Sequence, residues 1–181
     1  IGPHAFENHR KILRIDFHNA SQIQQFEEMS FSYSSITEIT IPSSLLCIGK
    51  YSFYNCTNLQ KIQFMIDSQL QVIEEGAFSF SSIINISIPS SVTKLCKMAF
   101  NGCTKLRSVR IQEDSQINEI EEEVFKDTLI SFFYIPPHVT QISQGTFQSC
   151  IRLKEIEFSE NTELKTIKKD AFFGTSIARL D

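Results

Sequence analysis

The residues best suited to chemistry in this chain are five cysteines, four histidines and a run of acidic side chains. Thiols and imidazoles can act as nucleophiles or bind zinc, cysteine pairs can form disulfides, and clustered carboxylates can bind a cation. Each of these functions requires side chains to converge in space. The spacing of the residues along the chain, and the elements that carry them, therefore decide which chemistry is feasible.

The local motifs of metal and nucleophilic sites are missing from the sequence. There is no Cys-x-x-Cys and no His-Glu-x-x-His, so we expect no structural zinc site. His9 and His138 fit structural or solvent-facing positions, and Glu119 with residues 121–123 fits a solvated edge better than a cation site. Six glycines are scattered singly, without a phosphate-binding loop. We therefore predict no catalytic residue, no metal and no cofactor, and we do not expect an enzyme.

The overall charge and hydropathy narrow the class of partner. The net charge is −4 and no basic stripe is visible in the sequence, which argues against nucleic acid as the partner. The longest apolar run, around residues 130–137, is far too short to span a membrane. The chain enters its repeat pattern at once, so we interpret it as a piece of a longer protein, and the lack of a targeting signal says little about location.

Phenylalanine marks an internal repeat. Two series of Phe each have a spacing of 47 residues, and interleaved they alternate in steps of 25 and 22. The first series is Phe6, Phe53, Phe100 and Phe147, and the second is Phe31, Phe78, Phe125 and Phe172. Five or six residues after each Phe, the chain reads apolar-x-x-apolar-x-apolar, as in 59–64 and 83–88. This pattern, at these periods, is typical of leucine-rich repeats.

The repeat predicts the architecture. Its alternating part is a short strand with one buried face, and a coil that cannot bury its apolar side alone must stack on its neighbours. We therefore expect an α/β repeat solenoid: a leucine-rich-repeat horseshoe or curved rod of about eight coils, with a parallel β-sheet on the concave face. Short helical turns or irregular structure are expected opposite. The four 47-residue double repeats form a single domain over residues 1–181 in this prediction.

The repeat also assigns the cysteines. Cys56, Cys103 and Cys150 occupy one repeat position two coils apart, which places their Cα atoms about 9–10 Å from each other. A disulfide needs less than about 7 Å. We expect these three thiols to be free, small fillers of the core. Cys47 and Cys96 are offset by two residues in the repeat and should also be free.

The complete pattern resembles the BspA-type leucine-rich repeats. The segments 41–56 and 88–103 match that family's motif at its Ile-Pro, Ser, Phe and Cys positions as well as at the apolar ones. The resemblance implies a surface protein of the kind found in some bacteria and parasitic protists, with a role in adhesion to host matrix or cells or in recognition of other proteins. It implies no catalytic residues. The second-series coils depart from the motif by placing Ser34, Ser81, Thr128 or Thr175 at the Cys position.

Strand alternation predicts which residues face outward from the concave sheet. One column is Arg14, Glu38, Lys61, Asn85, Ser108, Phe132, Glu155 and Arg179, and the next is Asp16, Thr40, Gln63, Ser87, Arg110, Tyr134 and Glu157. Both columns are polar except at Phe132 and Tyr134. Aromatic residues beside an arginine are typical of interface hot spots. We therefore predict a partner-binding site of Phe132, Tyr134, Arg110, Glu155, Glu157 and Ser108; the alternative is that a loop or a further segment covers the aromatic pair.

These observations favour a non-catalytic recognition module. Cell-surface adhesion or host-protein binding through the concave face is the leading hypothesis, with a protein of the host matrix or cell surface, or a glycan, as partner. The expected location is the cell surface or secreted, as part of a longer protein. A structural spacer and an intracellular interaction scaffold are the alternatives. Uncapped repeats at both ends predict possible end-to-end self-association, and sequons at Asn19, Asn55 and Asn85 matter only for a secreted protein.

Overall fold

Short parallel β-strands organise the chain. The computed structural model describes residues 1–18 and 20–178, and fourteen strands lie within them. In chain order they are β1 (Arg14–Ile15), β2 (Gln25–Phe26), β3 (Glu38–Ile41), β4 (Cys47–Ile48), β5 (Lys61–Phe64), β6 (Val72–Ile73), β7 (Asn85–Ser87), β8 (Lys94–Leu95), β9 (Ser108–Arg110), β10 (Glu119–Ile120), β11 (Phe132–Ile135), β12 (Gln141–Ile142), β13 (Glu155–Phe158) and β14 (Thr166–Ile167).

The odd-numbered strands form what we call the front sheet. Strands β1, β3, β5, β7 and β9 pair in that order, and β11 pairs with β13. Strand β9 contacts β11, although no strand pairing joins them. The register sets equivalent inward residues side by side, for example Ile39 with Ile62 and Phe133 with Ile156. The predicted parallel sheet is therefore confirmed.

The even-numbered strands form a second parallel sheet, the back sheet. Its order is β10-β8-β6-β4-β2, and β12 pairs separately with β14. The prediction of an α/β fold with short helical turns or irregular structure opposite the first sheet is wrong, because residues 1–18 and 20–178 contain no helix and this second sheet occupies that side. Each coil leaves only two residues at this position, such as Val72–Ile73, and their backbone groups pair with neighbouring coils rather than within the segment.

The number of coils is smaller than predicted. Seven front strands and seven back strands make about seven turns of solenoid in the described part of the chain, against the eight we expected from the sequence. The eighth front strand would begin at Arg179, which lies outside the described residues.

The repeated phenylalanines form one continuous stack. All eight rings lie nearly parallel to their neighbours, with interplanar angles of 3–11° and centroid distances of 4.9–5.7 Å. Phe53 and Phe100 are completely buried, and Phe6 and Phe172 at the two ends are partly buried. Each ring therefore shields the next from water, and the column runs the length of the described solenoid.

The corner that carries each Phe has an unusual backbone. The residues two before and two after every Phe have a positive φ. Because of this geometry the Phe N–H points to the next coil, as in the 2.7 Å bond that Phe53 donates to the carbonyl of Ala77. The N–H of the residue after the Phe donates within its own coil and closes a turn, as Tyr54 does to the carbonyl of Tyr51 at 3.0 Å. The corner thus joins neighbouring coils by hydrogen bonds without forming a strand.

We expect Phe100→Ala to destabilise the protein by about 3–5 kcal/mol, because it removes a buried ring that stacks on Phe78 and Phe125. Denaturant-induced unfolding measures the change. An unfolding free energy equal to that of the unsubstituted protein would show that the Phe column does not support the core.

Gly49 and Gly2 form a matched pair for testing backbone packing. A Cβ at Gly49 would lie 2.4 Å from the carbonyl oxygen of Phe26 in the adjacent coil, whereas a Cβ at Gly2 meets nothing within 4 Å. We expect Gly49→Ala to cost about 2 kcal/mol or more and Gly2→Ala to be nearly neutral. Thermal unfolding of the two variants compares them directly, and equal stabilities would contradict the close approach of these coils.

Candidate interaction site

Three adjacent strands carry the six residues predicted to bind a partner. Strand β11 provides Phe132 and Tyr134, and its neighbours β9 and β13 provide the other four. Those four, Ser108, Arg110, Glu155 and Glu157, are exposed. Register sets Phe132 beside Glu155 and Tyr134 beside Glu157. The structure thus brings the predicted residues together on one face, while Arg179 of the same predicted column lies outside the described residues.

The aromatic pair faces outward because its neighbour faces inward. Phe133 is fully buried and packs against Phe125 and Phe147, with both centroid distances at 4.9 Å. Strand alternation then directs Phe132 to the opposite side. The Phe132 side chain is 38% exposed, and Tyr134 is half-buried. The rest of the described chain therefore leaves an aromatic surface open on the front sheet.

Two charged residues beside this aromatic pair, Arg110 and Glu157, are free of ion pairs with the described residues. Elsewhere on the front sheet, Arg14 holds both Asp16 and Glu38 at 2.7 Å. Among the described residues, by contrast, Arg110 and Glu157 take part in no ion pair. Exposed charges without internal partners are available to a ligand, so the site combines apolar rings with free charges of both signs.

A cleft beside Tyr134 extends the site beyond the predicted residues. It has a volume of about 410 Å³, and its walls include Glu113, Pro137, Phe158 and Glu160 as well as Tyr134. The cleft lies over the short Pro136-Pro137 corner, between the longer corners of the coils on either side. We did not predict it. The alternation of 22- and 25-residue steps is the sequence signal that could have shown it, because short corners between long ones leave gaps.

The buried cysteines form pairs with hydroxyl groups rather than with each other. All five cysteines are free. The Cys56 thiol donates to the carbonyl of Phe31 at 3.0 Å, and the Ser34 hydroxyl lies 3.6 Å from the same sulfur. Cys103 with Ser81 and Cys150 with Thr128 repeat this arrangement at 3.3 Å. The prediction of free core thiols is confirmed, and the Ser and Thr of the second series now have a structural role.

Burial makes these thiols poor nucleophiles. It raises the pKa of Cys56, Cys103 and Cys150 to about 11 each. Burial, followed by the nearby Glu74 carboxylate, raises the pKa of Cys47 to about 12. The thiolate is the reactive form, so near neutral pH all of these groups are protonated and unreactive.

We expect stability to fall at alkaline pH through these thiols. A cysteine in the unfolded chain has a pKa of about 8.5, so the raised folded value contributes stability that is complete below about pH 8.5 and is lost as the pH approaches about 11. Cys103→Ser, which copies the residue of the second series, should lose less unfolding free energy between about pH 8 and 10.5. Urea unfolding at the two pH values tests this, and an identical decrease in both proteins would contradict it.

The remaining residues that could bind a metal or carry a glycan do not form a cluster in the described residues. In the described ranges, no group of three or more His, Cys, Asp or Glu side chains is arranged to hold a metal ion. Of the sequon asparagines, Asn85 is exposed on β7, Asn55 is half-buried with a φ of 52°, and Asn19 lies outside the described residues. Residues 1–18 and 20–178 contain no helix that could span a membrane.

Stacked coils, parallel sheets and the Phe column define a leucine-rich-repeat solenoid. The family model of the BspA type leucine rich repeat region matches residues 1–106 and 71–181, with six copies of the repeat. These matches cover the whole chain, so the protein belongs to the BspA-type leucine-rich-repeat family, as the sequence resemblance predicted.

Solved structures share this fold at low sequence identity. A leucine rich repeat protein of T. pallidum aligns with a TM-score of 0.74 at 21% identity, over 86% of this chain and 72% of that one. The pneumococcal vaccine antigen PcpA gives 0.56 at 22% identity, over 89% and 54%. A leucine rich cell surface protein of Faecalibacterium prausnitzii gives 0.59 at 22% identity, over 87% and 48%. The chain thus spans about half the length of the last two, and no curated protein sequence matches it significantly.

Proposed function

We propose that this protein is a non-catalytic recognition module that binds another macromolecule through the front sheet. The partner is a protein of a host matrix or cell surface, or a glycan. The observation that carries the proposal is the outward-facing aromatic pair of Phe132, which is exposed, and Tyr134, which is half-buried, on an otherwise polar sheet. Exposed rings with an adjacent arginine are typical of the few residues that dominate interface energies. The open cleft beside Tyr134 gives a partner side chain room to enter.

A cell-surface or secreted location, as part of a longer protein, accords with this function. One similar structure is a cell surface protein and another a vaccine antigen, and repeat solenoids of this kind present extended faces for binding. A structural spacer and an intracellular scaffold are the competing functions. A spacer requires no exposed aromatic side chain on its solvated sheet, so Phe132 beside the unpaired Arg110 and Glu157 favours recognition over it.

The double variant Phe132→Ala, Tyr134→Ala tests the proposal. We expect it to weaken binding to the cognate partner by about tenfold or more, since truncating a central aromatic residue costs 2 kcal/mol or more at a hot spot. The fold should persist, because Phe132 is exposed and Tyr134 only half-buried. Binding of the chain to a panel of matrix proteins and glycans identifies the partner and measures the loss.

Phe173→Ala is the matched control. This ring is 63% exposed but lies next to the Phe column rather than on the front sheet, so its removal should leave affinity unchanged. Equal loss in both variants, or unchanged affinity in a well-folded double variant, would reject the aromatic pair as the site. No binding to any component would favour the spacer.

A further inference from the structure

A second charged surface lies at the edge where the chain enters the front sheet. Two coils carry a pair of cations there: Lys105 and Arg107 before β9, and Arg152 and Lys154 before β13. The pairs occupy equivalent positions 47 residues apart, and all four side chains are exposed. We call these four residues the basic edge. Within the described chain none of them belongs to an ion pair.

The intervening coil joins the two pairs without adding charge. Its Leu129 donates a backbone hydrogen bond to Leu106 at 2.9 Å, and its Ser131 accepts one from Lys154 at 3.1 Å. The two pairs are therefore two strand spacings apart, about 9–10 Å. Ser131 is exposed between them, and Ile151, which is 61% exposed, lies beside Arg152. The edge offers four positive charges, a hydroxyl and a small apolar contact.

Charge is segregated across the front sheet. Acidic side chains predominate in the corners that follow its strands, where Lys165 is the one lysine or arginine among the described residues. The acidic residues there are Asp16, Asp67, Glu113, Asp114, Glu160 and Glu163, and all are exposed. Glu155, which directly follows Lys154, is the acidic residue nearest to the basic edge along the chain, and it is exposed. A protein with a net charge of −4 thus presents a locally positive border. This border is not evident from the sequence, because its residues come from two separate coils.

We propose that the basic edge binds a sulfated polysaccharide. Clustered lysine and arginine on a surface attract such chains, and the two equivalent pairs provide regularly spaced charges for a linear ligand that carries sulfate on repeating sugars. The serine hydroxyl can donate to a sugar oxygen, and the isoleucine can contact the apolar face of a sugar ring.

The four cations of the basic edge are distinct from the aromatic pair, although Ser131 and Lys154 directly precede Phe132 and Glu155 in the chain, and the inference does not rest on the proposed function. The Phe132 and Tyr134 substitutions leave all four cations in place. A failure of one site in a binding experiment is therefore distinguishable from a failure of the other.

The test is binding of purified chain to heparin oligosaccharides, at low and at physiological ionic strength. The fourfold variant Lys105→Gln, Arg107→Gln, Arg152→Gln, Lys154→Gln should lose affinity by roughly tenfold or more, and its binding should depend less on salt. Glu155→Gln should bind more tightly, because it removes the nearest carboxylate. All these positions are exposed, and if the fourfold variant fails to fold, the two pairwise variants replace it.

A charge-matched control uses four exposed lysines from other surfaces: Lys50, Lys61, Lys97 and Lys168, each changed to Gln. Its affinity should stay within about twofold of the unsubstituted protein. Equal loss in both fourfold variants would overturn the proposal, and so would a lack of heparin binding by the unsubstituted chain. Equal affinity for duplex DNA or for anionic phospholipid vesicles would also overturn it, because the edge would then attract any polyanion.

Discussion

The structure depends on the fact that no coil can bury its own apolar side. Every front strand, back strand and Phe ring finds its partner in the coil before or after it, so all three must advance by the same distance per coil. Parallel strands advance by about 4.8 Å, and the rings follow with centroid distances of 4.9–5.7 Å. The positive φ values on both sides of each Phe make this possible, because they turn its N–H toward the neighbouring coil.

The sequence predicts the parts of the fold whose residues have a recognisable spacing within each coil. The Phe series and the apolar-x-x-apolar-x-apolar segments define the column and the front sheet because each position is sampled many times. The back sheet has only two residues per coil, such as Val72–Ile73, and a pair so short has no period of its own. Likewise, glycine reveals the left-handed positions at Gly76 and Gly102, but Tyr33 and Met98 adopt the same backbone without any signal of residue type.

The candidate surfaces also differ in how far the sequence predicts them, according to whether their residues lie in one strand or in several coils. Strand alternation was sufficient to predict that Phe132 and Tyr134 face outward, since both belong to one strand. The cleft beside Tyr134 and the basic edge each combine residues of different coils, such as Glu113 with Glu160 or Arg107 with Lys154. Their proximity follows only from the register between coils. Single-sequence reasoning therefore predicts surfaces within a strand better than surfaces that cross strands.

The pairing of Cys56 with Ser34 sets the unit by which such a chain can lengthen. Each buried thiol has a carbonyl and a hydroxyl of the preceding coil as its neighbours, and the coils alternate between the two side chains. Gain or loss of a single coil would place two thiols, or two hydroxyls, next to each other. Duplication or deletion of 47 residues preserves every junction, so relatives of this protein can differ in length by whole double coils at little energetic cost.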